Sequence, residues 1–258
     1  MISLGQVGLF LKGPERKQIT LHSMSLSLDA QALLQLLQLA DSALPIGSAA
    51  HSFGIETLVA EELLTVEHLA QFLEDYLHET GALESVFCRR AYVLASSSTL
   101  AEFESRWLVL NNELSAFKTA RESRAASATL GRRFLQLVQG LEESPLLHRA
   151  IQSAKDAKSD IHYSAAFGLA GSLLRVDETA TVLAYLQQTL WCLVSACQRL
   201  MPLGQSQASR IVWRLKPTLI SIAERSKEVA PEDIVVFAPL PDLGSLRHPL
   251  LSTRLFIS

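Results

Sequence analysis

Leu100, Phe103, Trp107, Leu110, Leu114 and Phe117 recur at alternating spacings of three and four. That rhythm puts large apolar side chains on one stripe of a helix, and the stripe must lie against other helices rather than water. Continued without a break, the same register would carry Arg121 and Arg124 onto the seam ahead of Ala128, Gly131, Leu135 and Val138. Guanidinium groups are not left unpaired on an apolar seam. The spacing therefore predicts either a break near Lys118 or a pairing with a carboxylate such as Glu122.

Other stretches keep the helical period. From Asp29, a candidate N-cap, Leu33, Leu36, Leu37 and Ala40 form a stripe. A short helix is expected over Ile55 to Glu62. Thr65 can cap the next one, with Val66, Leu69, Ala70, Leu73, Tyr76 and Leu77 on one face and Gly81 as its end. Further helices read from Ile161 to Leu174, Glu178 to Cys197 and Gln205 to Glu224, the last interrupted at Pro217. The small residues Ala165, Ala166, Gly168, Ala170 and Gly171 suit close approach of a neighbouring helix. No core segment alternates in the manner of a strand, so the expected class is all-α: one helical bundle over residues 29–230.

The two ends differ from this body. Residues 1–28 mix Gly5, Gly8, Gly13 and Pro14 with short apolar runs and show no helical spacing before Met24. They read as an arm, either short and ordered or lying outside the fold, with Met24 a candidate alternative start. Residues 231–258 carry Pro231, Pro239, Pro241, Gly244 and Pro249, which prevent a long helix and predict a mostly non-helical tail. Yet Phe237, Leu240, Leu243, Leu246, Leu250, Leu251, Leu255, Phe256 and Ile257 make it far too apolar for a solvated segment. Such a tail must pack on its own body or on a partner, which makes it the chain's best binding candidate.

Composition narrows the function. A formal net charge of −3 offers no field for phosphate backbones, so nucleic acid is not an expected partner. The three cysteines, Cys88, Cys192 and Cys197, are an odd count in apolar surroundings and suit reduced thiols in the cytoplasm. The longest apolar stretch, near Leu190 to Cys197, is short of the ~20 residues a bilayer span needs. No membrane partner is expected. The glycines and hydroxyls of Gly47 to Gly54 lack the Lys-Ser/Thr ending of a phosphate loop, and there is no nucleophile elbow. The seven histidines fall at no chelating interval, and no two cysteines are spaced for a metal. The expectation is a non-catalytic protein without a cofactor or a resident metal.

Several phrases nevertheless stand out. They are Leu36-Leu37-Gln38-Leu39-Ala40-Asp41-Ser42-Ala43-Leu44-Pro45-Ile46-Gly47-Ser48, running on to His51-Ser52-Phe53-Gly54-Ile55-Glu56-Thr57; Glu122-x-Arg124 with Gly131-Arg132-Arg133; Phe167-Gly168-Leu169-Ala170; Arg199-Leu200-Met201-Pro202-Leu203-Gly204-Gln205; and Phe237-Ala238-Pro239-Leu240 through Arg247-His248-Pro249 to Ser252-Thr253-Arg254-Leu255-Phe256-Ile257-Ser258. In order and spacing they resemble the UreF family of urease accessory proteins, from near Leu34 to the last residue. Ile55, Ala49 and the Glu84-Ser85 pair depart from the usual pattern, as does the long N-terminal extension. The resemblance implies an all-helical homodimer that binds UreD (also called UreH) and recruits the GTPase UreG to apo-urease for nickel insertion. It also implies that the tail is ordered with UreD and that the terminal Arg-Leu-Phe phrase lies near recruiting surfaces.

The candidate partner-binding residues are Phe237, Leu240, Arg247, His248, Arg254, Leu255 and Phe256 of the tail, with Pro45, Gly47, His51, Ser52, Glu56, Arg199 and Gln205. For the loop residues a helix-connecting role stands equally beside an interface role, and Arg199 and Gln205 flank a Pro-Gly turn whose free backbone groups they could satisfy. Two further readings remain: a GTPase-activating factor supplying Arg124, Arg132 or Arg254 in trans, and a transient nickel carrier using His51, His162 or His248.

Overall fold

The computed structural model describes residues 29–230 and 233–258. The expected arm, residues 1–28, and the Met24 start lie outside the described residues. The helices are α1 (Ala30–Leu39), α2 (Ile55–Ala60), α3 (Leu69–Tyr76), α4 (Ala82–Ser97), α5 (Leu100–Phe117), α6 (Arg121–Leu141), α7 (Pro145–Asp156), α8 (Tyr163–Leu173), α9 (Glu178–Leu200), α10 (Gln205–Arg214), α11 (Lys216–Arg225) and α12 (Pro239–Arg247). No strand occurs among the described residues, and the class is all-α as expected.

The bundle is built around α8, whose residues Tyr163 to Gly171 are all buried. Its small side chains do what the sequence suggested: a Cβ added at Gly168 would stand 1.9 Å from the Cys88 carbonyl oxygen, so α8 and α4 meet nearly backbone to backbone. On its other sides α8 packs on α6 and α9. Phe134, Tyr163, Phe167 and Tyr185 fill the junction, with neighbouring ring centroids 5.3–6.1 Å apart. Each such fully buried side chain contributes roughly 1.5–3 kcal/mol. The middle of the α5 seam is dry as well. Phe103, Trp107 and Leu114 are fully buried, and Trp107 Nε1 donates to the Ala150 carbonyl at 3.1 Å, tying α5 to α7.

The α5 helix ends at Phe117 and α6 begins at Arg121, so the break near Lys118 is present and takes Arg121 off the seam. Arg124 turns back to the Lys118 carbonyl, 3.3 Å away. Lys118 itself forms a buried ion pair with Glu84, whose other oxygen accepts from the Tyr185 hydroxyl. Pro217 stands in the first turn of α11, just past the break after Arg214.

Three local readings need correction. Gly81 does not end a helix: the chain runs through a π-helical turn, Leu77–Gly81, directly into α4. The missing Cβ serves packing against Leu77 and Leu186 rather than a stop. Thr65 caps nothing, since α3 begins at Leu69 and the Thr65 hydroxyl meets His68 Nδ1 instead. Asp29 occupies the N-cap position of α1 without a side-chain capping bond. The tail is mostly non-helical, as expected: its one α-helix is the short α12, with Pro239 and Pro241 in the first turn, where no intrahelical N–H is required, and a 3₁₀ turn, His248–Leu250, follows.

By length and composition α9 could cross a bilayer, but it is packed inside the bundle, with Val182, Leu186, Leu190 and Val194 fully buried. A core helix of a globular protein has the same composition.

Candidate functional site

The tail lies against its own chain, and the loop before α2 is what receives it. After α1 the chain turns through Gly47 (φ 87°), a 3₁₀ turn at Ser48–Ala50 and Gly54 (φ 90°), so that α2 starts with Glu56 facing inward. α12 then crosses α2 and α6. Gly54 and Gly244 make that crossing possible: a Cβ on Gly244 would fall 2.5 Å from the Gly54 carbonyl oxygen, and one on Gly54 would fall 2.6 Å from the Pro241 carbonyl oxygen. Side chains reinforce the contact from α6 and the turn before it. Ser123 Oγ donates to Ser245 Oγ at 2.8 Å, and Thr119 Oγ1 donates to Asp242 Oδ2 at 3.0 Å.

Glu56 is the centre of the arrangement. Its carboxylate accepts the backbone N–H of Leu255 at 2.5 Å and of Phe256 at 3.1 Å, and lies 2.9 Å from His248 Nε2. Burial alone pushes this carboxyl up, but the Leu255 N–H, His248 and the Phe256 N–H outweigh it and hold the group below its ordinary value. His248 is fully buried, and its other nitrogen, Nδ1, meets Glu122 Oε2 at 2.7 Å. The second oxygen of Glu122 faces Arg254 Nη1 at 3.7 Å.

The last residues run along the loop. Ile257 N–H donates to the Ala50 carbonyl at 2.8 Å, while the Ser258 backbone oxygen accepts from Ser52 N–H at 2.5 Å and Ser52 Oγ at 3.0 Å. Ser258 Oγ sits 2.8 Å from His51 Nδ1. Burial, then the nearby Arg133 charge, hold the His51 ring below its usual value. Arg199 of α9 closes the end: its guanidinium lies 4.1 Å from the centroid of the Phe256 ring and donates to the Ala49 carbonyl at 2.6 Å.

This backbone alternation sends side chains two ways. Phe256 and Ser258 point inward and are buried, whereas Leu255 and Ile257 are 61% and 68% exposed. Leu250 is 80% exposed, and Phe237, Leu240, Leu243 and Leu246 also face outward. The ordered tail thus presents an apolar row to solvent.

Of the residues singled out by sequence, the structure brings His51, Ser52, Glu56, Arg199, His248, Arg254, Leu255 and Phe256 into one cluster. Arg247 is adjacent, paired with Glu61 at 2.9 Å. Phe237 donates its N–H to Glu79 Oε2 at 3.1 Å from an exposed position, and Leu240 is half exposed on α12. Gly47 abuts Arg133, which donates to the Ile46 carbonyl; Pro45 is exposed on the same loop. Gln205, exposed at the first position of α10, makes none of these hydrogen bonds. Sequence reasoning left out Glu122, Ser258 and Gly244. A signal for Glu122 was present: a carboxylate turning toward the bundle at the start of α6 needs a cation, and the tail supplies it.

The residues of the alternative readings are engaged elsewhere. Arg124 holds the Lys118 carbonyl, Arg132 lies 3.6 Å from Asp160, and Arg254 faces Glu122. Both nitrogens of His162 are taken by Ser115 and Ser127, and burial pushes the ring down to about 3, keeping it neutral. Among the described residues no group of three or more His, Cys, Asp or Glu side chains is placed to hold a metal ion.

Comparison with known proteins identifies the family. A family model described as UreF matches residues 63–216. A urease accessory protein UreF of Bacillus sp. is 29% identical over 231 residues, covering 88% of this chain and 99% of that protein. Another of the same name, from Nostoc sp., is 32% identical over 228 residues, covering 87% and 95% respectively. Since the family model takes in more than half of the chain, and relatives align with it nearly end to end, the chain belongs to the UreF family of urease accessory proteins.

Proposed function

We infer that the chain is a non-catalytic cytoplasmic scaffold of urease maturation. It binds UreD (UreH) through the outer face of its tail and, as a homodimer, recruits the GTPase UreG to apo-urease for nickel insertion. The observation that carries this reading is the outward row of Leu246, Leu250, Leu255 and Ile257 on a segment whose backbone is fixed by Glu56, Ser52 and Ala50. A preordered apolar row binds without the conformational entropy cost of folding a free tail. Each leucine or isoleucine removed from water there would contribute roughly 1.5–3 kcal/mol. Family membership supports a role in urease maturation; the named partners come from the family resemblance and are proposals for this chain.

The test is co-purification of the full chain with UreD and UreG. A stable ternary complex that activates apo-urease in the presence of nickel is the expected result, and failure to retain either partner would remove the reading. The GTPase-activating alternative predicts faster single-turnover GTP hydrolysis by UreG when the chain is added.

A further inference from the structure

We propose that docking of the tail is proton-linked: the docked arrangement holds one proton in the His248, Glu56 and Glu122 cluster that the undocked tail releases in alkaline solution, so rising pH frees the tail. The argument is a count of donors. A neutral imidazole carries one N–H and one lone pair, and an ionised carboxylate carries only acceptors. Yet both nitrogens of His248 face carboxylate oxygens, Nε2 at 2.9 Å from Glu56 and Nδ1 at 2.7 Å from Glu122. With a neutral ring and two ionised carboxylates, one of these short contacts would set lone pair against lone pair. One additional proton removes the conflict. Whether it is written on the ring or on a carboxylate, the cluster's proton count is the same.

The surroundings do not supply a substitute. His248 has no exposed surface, so water cannot insert at either nitrogen. Just past α2, Glu61 is taken by Arg247; on α6, the free oxygen of Glu122 faces Arg254; from α9, Arg199 is spent on Phe256 and Ala49; from the loop, His51 is bonded to Ser258. The backbone N–H groups of Leu255 and Phe256 favour ionised Glu56, and the Arg254 guanidinium favours ionised Glu122, which leaves the imidazole to carry the added proton. Once the tail leaves, His248 meets water and no longer requires it.

Linkage then fixes the sign and limits the size. A state that binds one more proton loses up to about tenfold in its equilibrium constant per pH unit over the range where that proton is released. The docked tail is that state. The inference concerns the isolated chain, so it stands or falls separately from the identity of any partner.

The experiment follows the Leu255 and Ile257 methyl signals of the full chain from about pH 6 to about pH 9, with ¹⁵N spectra of the histidine rings and helical circular dichroism. The wild-type docked fraction is expected to fall with pH while helical content holds, and both His248 nitrogens should be protonated at the docked end. Glu122→Gln should keep the tail docked across the range, because an amide can pair with Nδ1 without an added proton. His248→Gln should remove the pH dependence too; if it fails to fold, Glu122→Gln decides alone. A flat wild-type profile, a docked His248 with one bare nitrogen beside both ionised carboxylates, or a Glu122→Gln profile with the wild-type slope would overturn the proposal. So would loss of helical signal in step with the methyl change.

Discussion

The α8 helix and the C-terminal tail are both pressed against the rest of the chain, but by opposite means. α8 is held mainly by shape: its glycines and alanines let α4 come within backbone contact, and Phe134, Phe167 and Tyr185 close around it. The tail is held by ionic and backbone hydrogen bonds converging on Glu56, and it turns much of its apolar surface outward. Apolar packing of the first kind changes little with pH or with partners. A hydrogen-bonded clamp of the second kind can be loosened locally without disturbing the bundle. The difference separates the part of the chain that makes the fold from the part that keeps its apolar side chains exposed.

The comparison is broken most severely at Gly168. Gly168→Val would drive side-chain atoms into the Cys88 carbonyl and is expected to cost about 3 kcal/mol or more, lowering the melting temperature followed by circular dichroism by about 6–12 °C or more. Next comes Glu56→Ala, which strands two backbone N–H groups and one nitrogen of His248. A loss of about 2 kcal/mol is expected, limited because the tail can undock and rehydrate. Thermal melts and amide exchange at Leu255 and Phe256 would register it, with exchange at α8 unchanged.

The same carboxylate sets an acid limit. Because its folded value lies below the ordinary 4.5, Glu56 contributes stability that is present above that value and is lost as pH falls through the lowered one. Tail docking should therefore weaken in acid, below about pH 4.5, before α8 loses protection.

Arg254→Ala is expected to do less to the isolated chain. Its ion pair with Glu122 is long, at 3.7 Å, and the side chain is 45% exposed, so the loss of stability should stay within about 1 kcal/mol. Retention of UreD or UreG should nevertheless fall. A clear drop in melting temperature with partner binding intact would assign Arg254 to pinning the tail alone. The smallest effect is expected from starting the chain at Met24: helical signal and urease activation should be retained, and a large loss of either would show that the preceding residues belong to the fold.

Much of the bundle was legible because helical periodicity is a local property. The α5 seam, the break after it, the small-residue face of α8 and the interruption at Pro217 each follow from spacing within a few turns. Three helices escaped: α4, hidden behind Gly81; α7, although Ser144-Pro145 is a cap followed by proline; and the short α12. The Thr99/Glu102 capping box at the start of α5 was also written in sequence. The clasp was less readable, because it joins residues nearly two hundred positions apart. Sequence marked Glu56, His248 and Arg254 as unusual, but nothing local says that Glu56 faces the tail backbone or that Glu122 completes the cluster. Nor does a proline-rich segment reveal which of its apolar side chains turn inward.

The most direct test of the account replaces Leu255 and Ile257 together by serine in the full chain and measures both its melting temperature and its retention by UreD. These side chains point outward while their backbone N–H groups hold the tail, so stability should stay within about 0.5 kcal/mol of wild type. Affinity for UreD should fall by about thirtyfold or more, as expected for apolar anchors at the centre of an interface. Unchanged retention by UreD with an unchanged melting temperature would contradict the assignment of this face as the partner-binding surface.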